Sequence, residues 1–410
     1  MMHRRTFLLS SAGLAIAPGV GLAPGGGEVA PLSLESWRPG FVARAVAASL
    51  PRERVEALLD GVTSDPRVIA ADTRQPEFSK PVGAYIAGTV SSSRVATARA
   101  RRQVAAPWLD PIAARYGVPA SVLVAVWGVE SDFGAVQGDM DVVRSLATLA
   151  ASGRRRDFAE GQLIAALRIL VSGEATRAQL RGSWAGAMGQ TQFTPADYLT
   201  WGVDADGNGR RDIWNSAPDA LGSAANFLAH KAAWRPGEAT QAEVRLPSGF
   251  DYGLAESSAQ PWAAWRALGV APATGIAPTG ATATEPATLI LPQGWRGPAF
   301  VTFPNHAAIK VYNNSTAYAL AVGLLADRIA GAGPLVAAWP DDPPLSLPDR
   351  IEAQEALARL GFDPGTPDGV LGTQTRRAAR AWQLSRRLPA DGYLDYALIQ
   401  RLKADAGRTA

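Results

Sequence analysis

The sequence predicts a mainly α protein with a minor β element and a small three-helix domain at its C-terminal end. Apolar residues recur at three- and four-residue spacing through most of the chain. Those helical patterns are interrupted once, by a Pro/Gly-rich break with two β-like runs, and a proline-dense stretch sets off a last segment at residues 349–405. With 410 residues and 47% hydrophobic content, the chain can bury a sizeable core and divide into more than one domain. Forty basic against thirty-seven acidic side chains leave a formal charge of +3, which gives nucleic-acid binding no compositional support.

The opening MMHRRTFLLSSAGLAIAPGVGLAP carries paired arginines (Arg4, Arg5), an apolar stretch from Phe7 to Ala17 and a small-x-small site at Gly21 to Ala23. Residues 1–27 therefore read as an export signal of the twin-arginine type, with an apolar stretch too short to span a bilayer comfortably. The chain has no cysteine, which excludes a lipid-modified cysteine anchor, disulfides and thiolate metal sites. A periplasmic monomer with no stable membrane anchor is the expectation.

Residues 34–331 form the body. Helical patterns include RERVEALLDGV (Arg52 to Val62), Ser93 to Tyr116, Gly161 to Val171, Ser216 to Trp234 and Thr316 to Ala330. Between Ala273 and Phe303 the runs ATLILP and PAFVTFP predict a small sheet or hairpin. Residues 332–348, within GAGPLVAAWPDDPPLSLP, hold too many prolines for a helix and read as a semi-rigid linker. The final domain shows helical patterns near Ile351 to Leu360, Thr373 to Ser385 and Asp395 to Leu402, with turns at Asp368-Gly369 and Asp391-Gly392.

The chemistry starts at VWGVESDFGA, Val126 to Ala135. Val122, Leu123, Val126 and Trp127 lie eight, seven, four and three residues before Glu130, so Glu130 shares their apolar face. Desolvation among such neighbours makes a carboxylate hold its proton more tightly, as a general acid at neutral pH requires. Periodicity alone favours a plainer role, a glutamate that pairs with a buried arginine or caps a neighbouring helix. Asp132, Asp139 and Asp141 stay open as a second carboxylate. A second segment, RGSWAGAMGQTQFTP (Arg181 to Pro195), combines small residues that permit close backbone approach with neutral hydrogen-bonding groups at Ser183, Gln190 and Gln192. It suits a groove for a hydroxyl-rich polymer, or simply tight packing.

These stretches, with SGRRRDF at Ser152, RQPEF at Arg74, the DADGNGRRDIWNSAPDAL run and VYNNSTAYALAVGLLADRI, resemble the membrane-bound lytic murein transglycosylase B family. The resemblance covers roughly Leu34 to Gly331 and implies a lysozyme-like α body that cuts peptidoglycan glycan strands without a catalytic cofactor. It makes Glu130 the acid and then the base, and places Ser183, Gln192 and Phe193 beside it with Tyr312 and Tyr318 facing the sugar. Arg155 and Arg156 become candidates for peptide carboxylates, although three consecutive arginines usually form a solvated face. Phe227 stands where the family often has tyrosine, leaving stacking without a hydroxyl. A lone glutamate departs from the two-carboxylate plan of most glycosidases; the family supplies the nucleophile from the substrate, closing the muramyl C6 hydroxyl onto C1 as a 1,6-anhydro product. The rivals are a lysozyme-type hydrolase on the same scaffold and a non-catalytic cell-wall-binding protein.

Asp204, Asp206 and Asn208 with Gly209 fit positions one, three, five and six of an EF-hand loop, and Arg210 would offer its carbonyl at seven. Asn215 replaces the usual glutamate at twelve, so Asp212 or, as the resemblance suggests, Asp219 completes the shell around a structural calcium ion. Asp219 also reads as the end of a capping box from Ser216. The last domain resembles the three-helix peptidoglycan-binding module of wall enzymes, through Gln354, Leu357, Gly361, Asp368, Gly369, Thr375, Gln383, Asp391 and Gly392.

Overall fold

The computed structural model describes residues 30–74, 80–256 and 258–407. The expected export signal, and most of RQPEF, lie outside them. In chain order the helices are α1 (Leu34–Ala47), α2 (Arg52–Leu59), α3 (Pro66–Arg74), α4 (Val82–Thr89), α5 (Ser92–Tyr116), α6 (Ala120–Ser131), α7 (Val142–Ser152), α8 (Arg156–Ser172), α9 (Pro195–Trp201), α10 (Ala217–Asn226), α11 (Trp262–Ala267), α12 (Pro304–Tyr312), α13 (Thr316–Ile329), α14 (Leu347–Arg359), α15 (Thr373–Ser385) and α16 (Tyr396–Gly407). The strands are β1 (Met140–Asp141), β2 (Arg181–Gly182), β3 (Gln241–Arg245), β4 (Gln260–Pro261), β5 (Ala271–Pro272), β6 (Pro286–Ile290) and β7 (Ala299–Thr302). Among the described residues no single helix is long and apolar enough to cross a membrane.

The described residues fall into two compact units: one of residues 30–74, 96–232 and 311–314, the other of 80–95, 233–256, 258–310 and 315–407. In the first unit α6 is buried nearly all round, which is why its sequence is apolar on every face rather than striped. The neighbouring α7 begins where Asp141 accepts the Arg144 N–H at 2.8 Å and stops at Gly153. Glu160 of α8 ties the sequence-distant α1 down by accepting from the Trp37 indole at 2.8 Å and from Arg44 at 2.6 and 2.7 Å. The predicted helix from Ser216 to Trp234 is shorter than expected: α10 widens into a π-turn at Phe227–Lys231 and ends there.

The second unit holds a five-stranded antiparallel sheet in the order β4-β6-β7-β3-β5. Both predicted β runs are strands of it, β6 and β7, paired directly (Leu289 opposite Val301). Trp262, Trp265, Leu289 and Val301 are buried in its core. The proline-rich stretch is extended, yet it is pinned: Glu243 accepts the Val336 and Ala337 N–H groups at 2.7 Å each, and Pro340 accepts from Gln293 at 2.8 Å. Beyond it, α14, α15 and α16 close around Leu357, Trp382 and Leu402. Two glutamines perform the same task there. Gln354 accepts the Gly369 N–H at 2.7 Å and Gln383 the Gly392 N–H at 2.7 Å, each locking one Asp-Gly turn from a buried position.

Candidate active site

Glu130 sits in the last turn of α6, 9% exposed. The helix stops abruptly beyond it, because Asp132, Phe133 and Gly134 all adopt positive φ (50°, 60° and 85°). Gly134 is needed at that position: a Cβ there would lie 2.7 Å from the Gln190 side-chain oxygen. Gln190 in turn receives the Trp127 indole N–H at 2.9 Å, and its own carbonyl accepts the Ser131 hydroxyl at 2.5 Å. The end of α6 is thereby bolted to the small-residue segment on both sides of Glu130.

That segment folds as a tight lobe. Met188 bridges both Gly182 and Phe193, and the Ser183 hydroxyl accepts the Ala187 N–H at 3.0 Å while the Ser183 N–H donates to the Ala187 carbonyl at 2.7 Å. Gln192, itself at φ 52°, donates its amide to the carbonyls of Gln137 at 3.0 Å and Gly189 at 2.9 Å. Ser183 and Gln192 thus also hold the lobe's shape. Phe193, Phe227 and Tyr312 form one aromatic cluster, with ring centroids 5.0 to 6.0 Å apart. The Tyr312 hydroxyl donates to the Thr191 carbonyl at 2.6 Å. Burial pushes that phenol well above its ordinary value, and the negative charge of Glu130 adds to the rise, so the two groups lie within electrostatic reach.

The other expected residues are placed as follows. Phe227 is only 3% exposed, with the Lys231 ammonium 4.6 Å from its ring centre, so little of it is open for stacking on a sugar. Arg155 pairs with Asp72 at 3.0 Å and lies over the Trp184 ring, and Arg156 donates to the carbonyls of Ala150 and Ala30. Tyr318 belongs to the second unit, buried on α13, where its N–H is capped by Ser315. Of the three other carboxylates, Asp141 caps α7 and pairs with Arg177 at 2.7 Å, Asp139 is exposed and pairs with Arg67 at 3.2 Å, and Asp132 is exposed. Sequence reasoning passed over Ser131 and Gln137, whose only signal was their nearness to Glu130.

Carboxylate oxygens of Asp204, Asp206 and Asp219 lie within 4.8 Å of one another. Asp219 is fully buried at the start of α10, and desolvation raises its pKa despite the N–H groups of Asp212, Ala205 and Asp206 that it accepts. The Asn208 side chain accepts the Arg210 N–H at 2.9 Å. Asn215, at the twelfth position, turns its amide onto Asp212 instead. Three clustered hard oxygen donors, one of them sealed from water, fit a divalent cation of the calcium type.

Residues 33–327 match the family model described as the transglycosylase SLT domain, and residues 346–402 match a peptidoglycan binding domain. The chain is 33% identical over 224 residues to the membrane-bound lytic murein transglycosylase B of Escherichia coli strain K12, a match spanning 52% of this chain but only 58% of that relative. It is also similar to crystal structures. SltB3 from Pseudomonas aeruginosa in complex with NAG-anhNAM-pentapeptide shares 48% identity with a TM-score of 0.86, covering 90% of this chain and 99% of that one. The Escherichia coli lytic transglycosylase Slt35 in complex with calcium shares 26% identity with a TM-score of 0.61, over 71% and 92% of the two chains.

Proposed function

The chain belongs to the transglycosylase SLT-domain family, and from that premise we propose that it is a lytic transglycosylase cutting the β-1,4 bond between N-acetylmuramic acid and N-acetylglucosamine in peptidoglycan. Glu130 protonates the glycosidic oxygen as that bond breaks, while the muramyl N-acetyl carbonyl stabilises the cationic C1. The resulting carboxylate takes the proton of the C6 hydroxyl, whose oxygen closes onto C1 to give a 1,6-anhydro end. No water enters and no catalytic cofactor is required.

The observation that carries this reading is a single buried carboxylate at the tip of α6, fixed against a small-residue lobe, with Asp141 engaged elsewhere and Asp139 and Asp132 exposed. A lysozyme-type hydrolase would need one of those as its second carboxylate. The relative solved with an anhydro-muramyl peptide supports the same product class. Ser183, Gln192 and Tyr312 are the residues we assign to the sugar, with Arg155 and Arg156 as further contacts, while the buried Phe193 and Phe227 back the Tyr312 ring. Calcium held by Asp204, Asp206, Asn208, the Arg210 carbonyl and Asp219 has a structural role, consistent with the calcium complex of Slt35. The enzyme works as an exported, periplasmic monomer.

Mass analysis of fragments released from purified peptidoglycan tests the proposal. Anhydro ends are expected; reducing ends would establish the hydrolase, and no release would establish a binding protein.

A further inference from the structure

We infer that Gln190 is a positioning residue for the catalytic step, a buried amide that sets where the Glu130 carboxylate stands by gripping the end of α6 and tying it to the acidic loop. The inference rests on the transglycosylase reading and deepens it. A neutral polar group in the small-residue lobe suits a sugar groove, yet Gln190 is only 6% exposed and both ends of its side chain are taken by protein partners.

The amide oxygen accepts the Trp127 indole N–H at 2.9 Å, and the amide nitrogen donates to the Trp214 carbonyl at 3.3 Å. The backbone repeats the pattern: the Gln190 N–H donates to the Ile213 carbonyl at 2.9 Å, and its carbonyl accepts the Ser131 hydroxyl at 2.5 Å. Trp127 precedes Glu130 by three residues, one helical turn back on the same face, and Ser131 follows it directly. Gln190 therefore holds α6 on both sides of the carboxylate. An amide is the side chain this place requires, since it accepts and donates at once. Glutamate would set a carboxylate against the Trp214 carbonyl, and methionine would strand the buried indole N–H.

The other end of the grip is fixed in turn. The Trp214 carbonyl also accepts the Gln137 amide at 2.9 Å, and the Trp214 N–H donates to the Asp212 carboxylate at 3.0 Å. The Asp212 N–H donates to the fully buried Asp219 carboxylate at 2.8 Å. Ile213 is sealed against Gly189, where a Cβ would come 2.8 Å from the isoleucine side chain. One hydrogen-bonded frame thus runs from the acidic loop through Ile213 and Trp214 to Gln190 and on to the two neighbours of Glu130. Proton transfer to a glycosidic oxygen needs the acid within hydrogen-bond reach, and a displacement of about 1 Å can cost on the order of 100-fold in rate.

The test is steady-state cleavage of a soluble peptidoglycan-derived glycan strand, with kcat taken per folded molecule. Gln190→Met keeps the side chain's length and loses its hydrogen bonds, so kcat should fall ~10- to 100-fold while KM stays at its wild-type value. Trp127→Phe removes the donor at the other end of the same bond and should also lower kcat. The double variant should be no slower than the slower single one, because both changes delete one interaction. A wild-type kcat in folded Gln190→Met, the result a purely structural glutamine gives even with a lower Tm, would overturn the role, as would losses that multiply in the double variant. Should Gln190→Met fail to fold, Trp127→Phe decides alone, a wild-type kcat there removing the role. The products separate this inference from the reading beneath it: anhydro ends with kcat unchanged in Gln190→Met remove only the positioning role, and reducing ends with kcat still lowered remove only the transglycosylase.

Discussion

A side chain that must give up a proton and then take one back needs isolation from bulk water and a fixed position, and Glu130 has both at the end of α6. Glu130→Gln keeps the shape and removes the proton, so anhydro-product formation should fall at least ~100-fold, as loss of a general acid does, with an unchanged circular-dichroism spectrum; near-normal turnover would take Glu130 out of the mechanism. Its face was legible in the sequence because helical spacing alone placed it with Val122, Val126 and Trp127. The hydrogen bonds that hold Gln190 against Trp127 and Ser131 were not legible, since they join segments about sixty residues apart. His306 is a second single-residue case. It is buried, and desolvation, with Lys310 nearby, lowers its pKa to about 3 from the ordinary 6.5. The folded state thus binds fewer protons than the unfolded state between those values, so stability rises with pH across that window and is lost as pH falls from about 6.5 toward 3. Each pH unit there is worth about 1.4 kcal/mol for one such group. Denaturant midpoints measured from pH 7 to pH 5 should drop less in His306→Gln than in the wild type, if that variant folds with comparable stability at pH 7; parallel slopes would acquit His306.

Elements differ in how plainly the sequence announces them. The three module helices and α5 were legible within a few residues because Gly-bearing turns punctuate their ends. Strands β4 and β5 were not: at two residues each they are too short for any alternation, and they exist only because β6 and β3 offer an edge to pair with. The π-turn at Phe227–Lys231 likewise comes from packing, with Phe227 drawn against Phe193 and Tyr312. The tie of α1 to α8 through Glu160 was also hidden, since nothing in either helix names its partner. Glu160→Ala strands the Trp37 indole in the core and leaves Arg44 without its carboxylate, and should cost about 3 kcal/mol in urea unfolding; a loss under about 0.5 kcal/mol would mean that apolar packing alone holds α1. The acidic loop was legible in its first six positions but not in its closure, because Asp219 arrives from α10 rather than from the twelfth position. Calcium at about one hundred times its Kd should raise stability by about 2.7 kcal/mol, seen as a higher Tm in the wild type than in Asp204→Ala. Equal responses in the two proteins would reject the loop as a site.

Across the molecule, the linker and the module depart most from a picture of beads on a string. A proline-rich connection suggests an independent tether that raises local polymer concentration, yet within the second unit the module is clamped to the sheet. Glu256 pairs with Arg376 at 2.6 Å and Arg380 at 3.4 Å, Arg376 also donates to the Leu291 carbonyl at 3.1 Å, and the Tyr393 hydroxyl reaches Asp342 at 3.0 Å. All three charged partners are about one-fifth exposed, so water screens them only partly, and removing the carboxylate would leave two neighbouring guanidinium groups with Asp391 as the remaining counter-charge near Arg380. Glu256→Gln should therefore loosen the docking by roughly 1–3 kcal/mol, which is about a 5- to 150-fold rise in the open fraction. The Trp295 amide, protected only while it donates to Asp391 across the same junction, reports that opening directly. Its hydrogen exchange should accelerate by a similar factor in Glu256→Gln, while amides inside α14 and α15 keep their wild-type rates. If Trp295 exchange is unchanged, the module is held by its other contacts and the ion pairs are ornamental; if the α14 and α15 amides accelerate as well, the substitution has loosened the module itself rather than its seat.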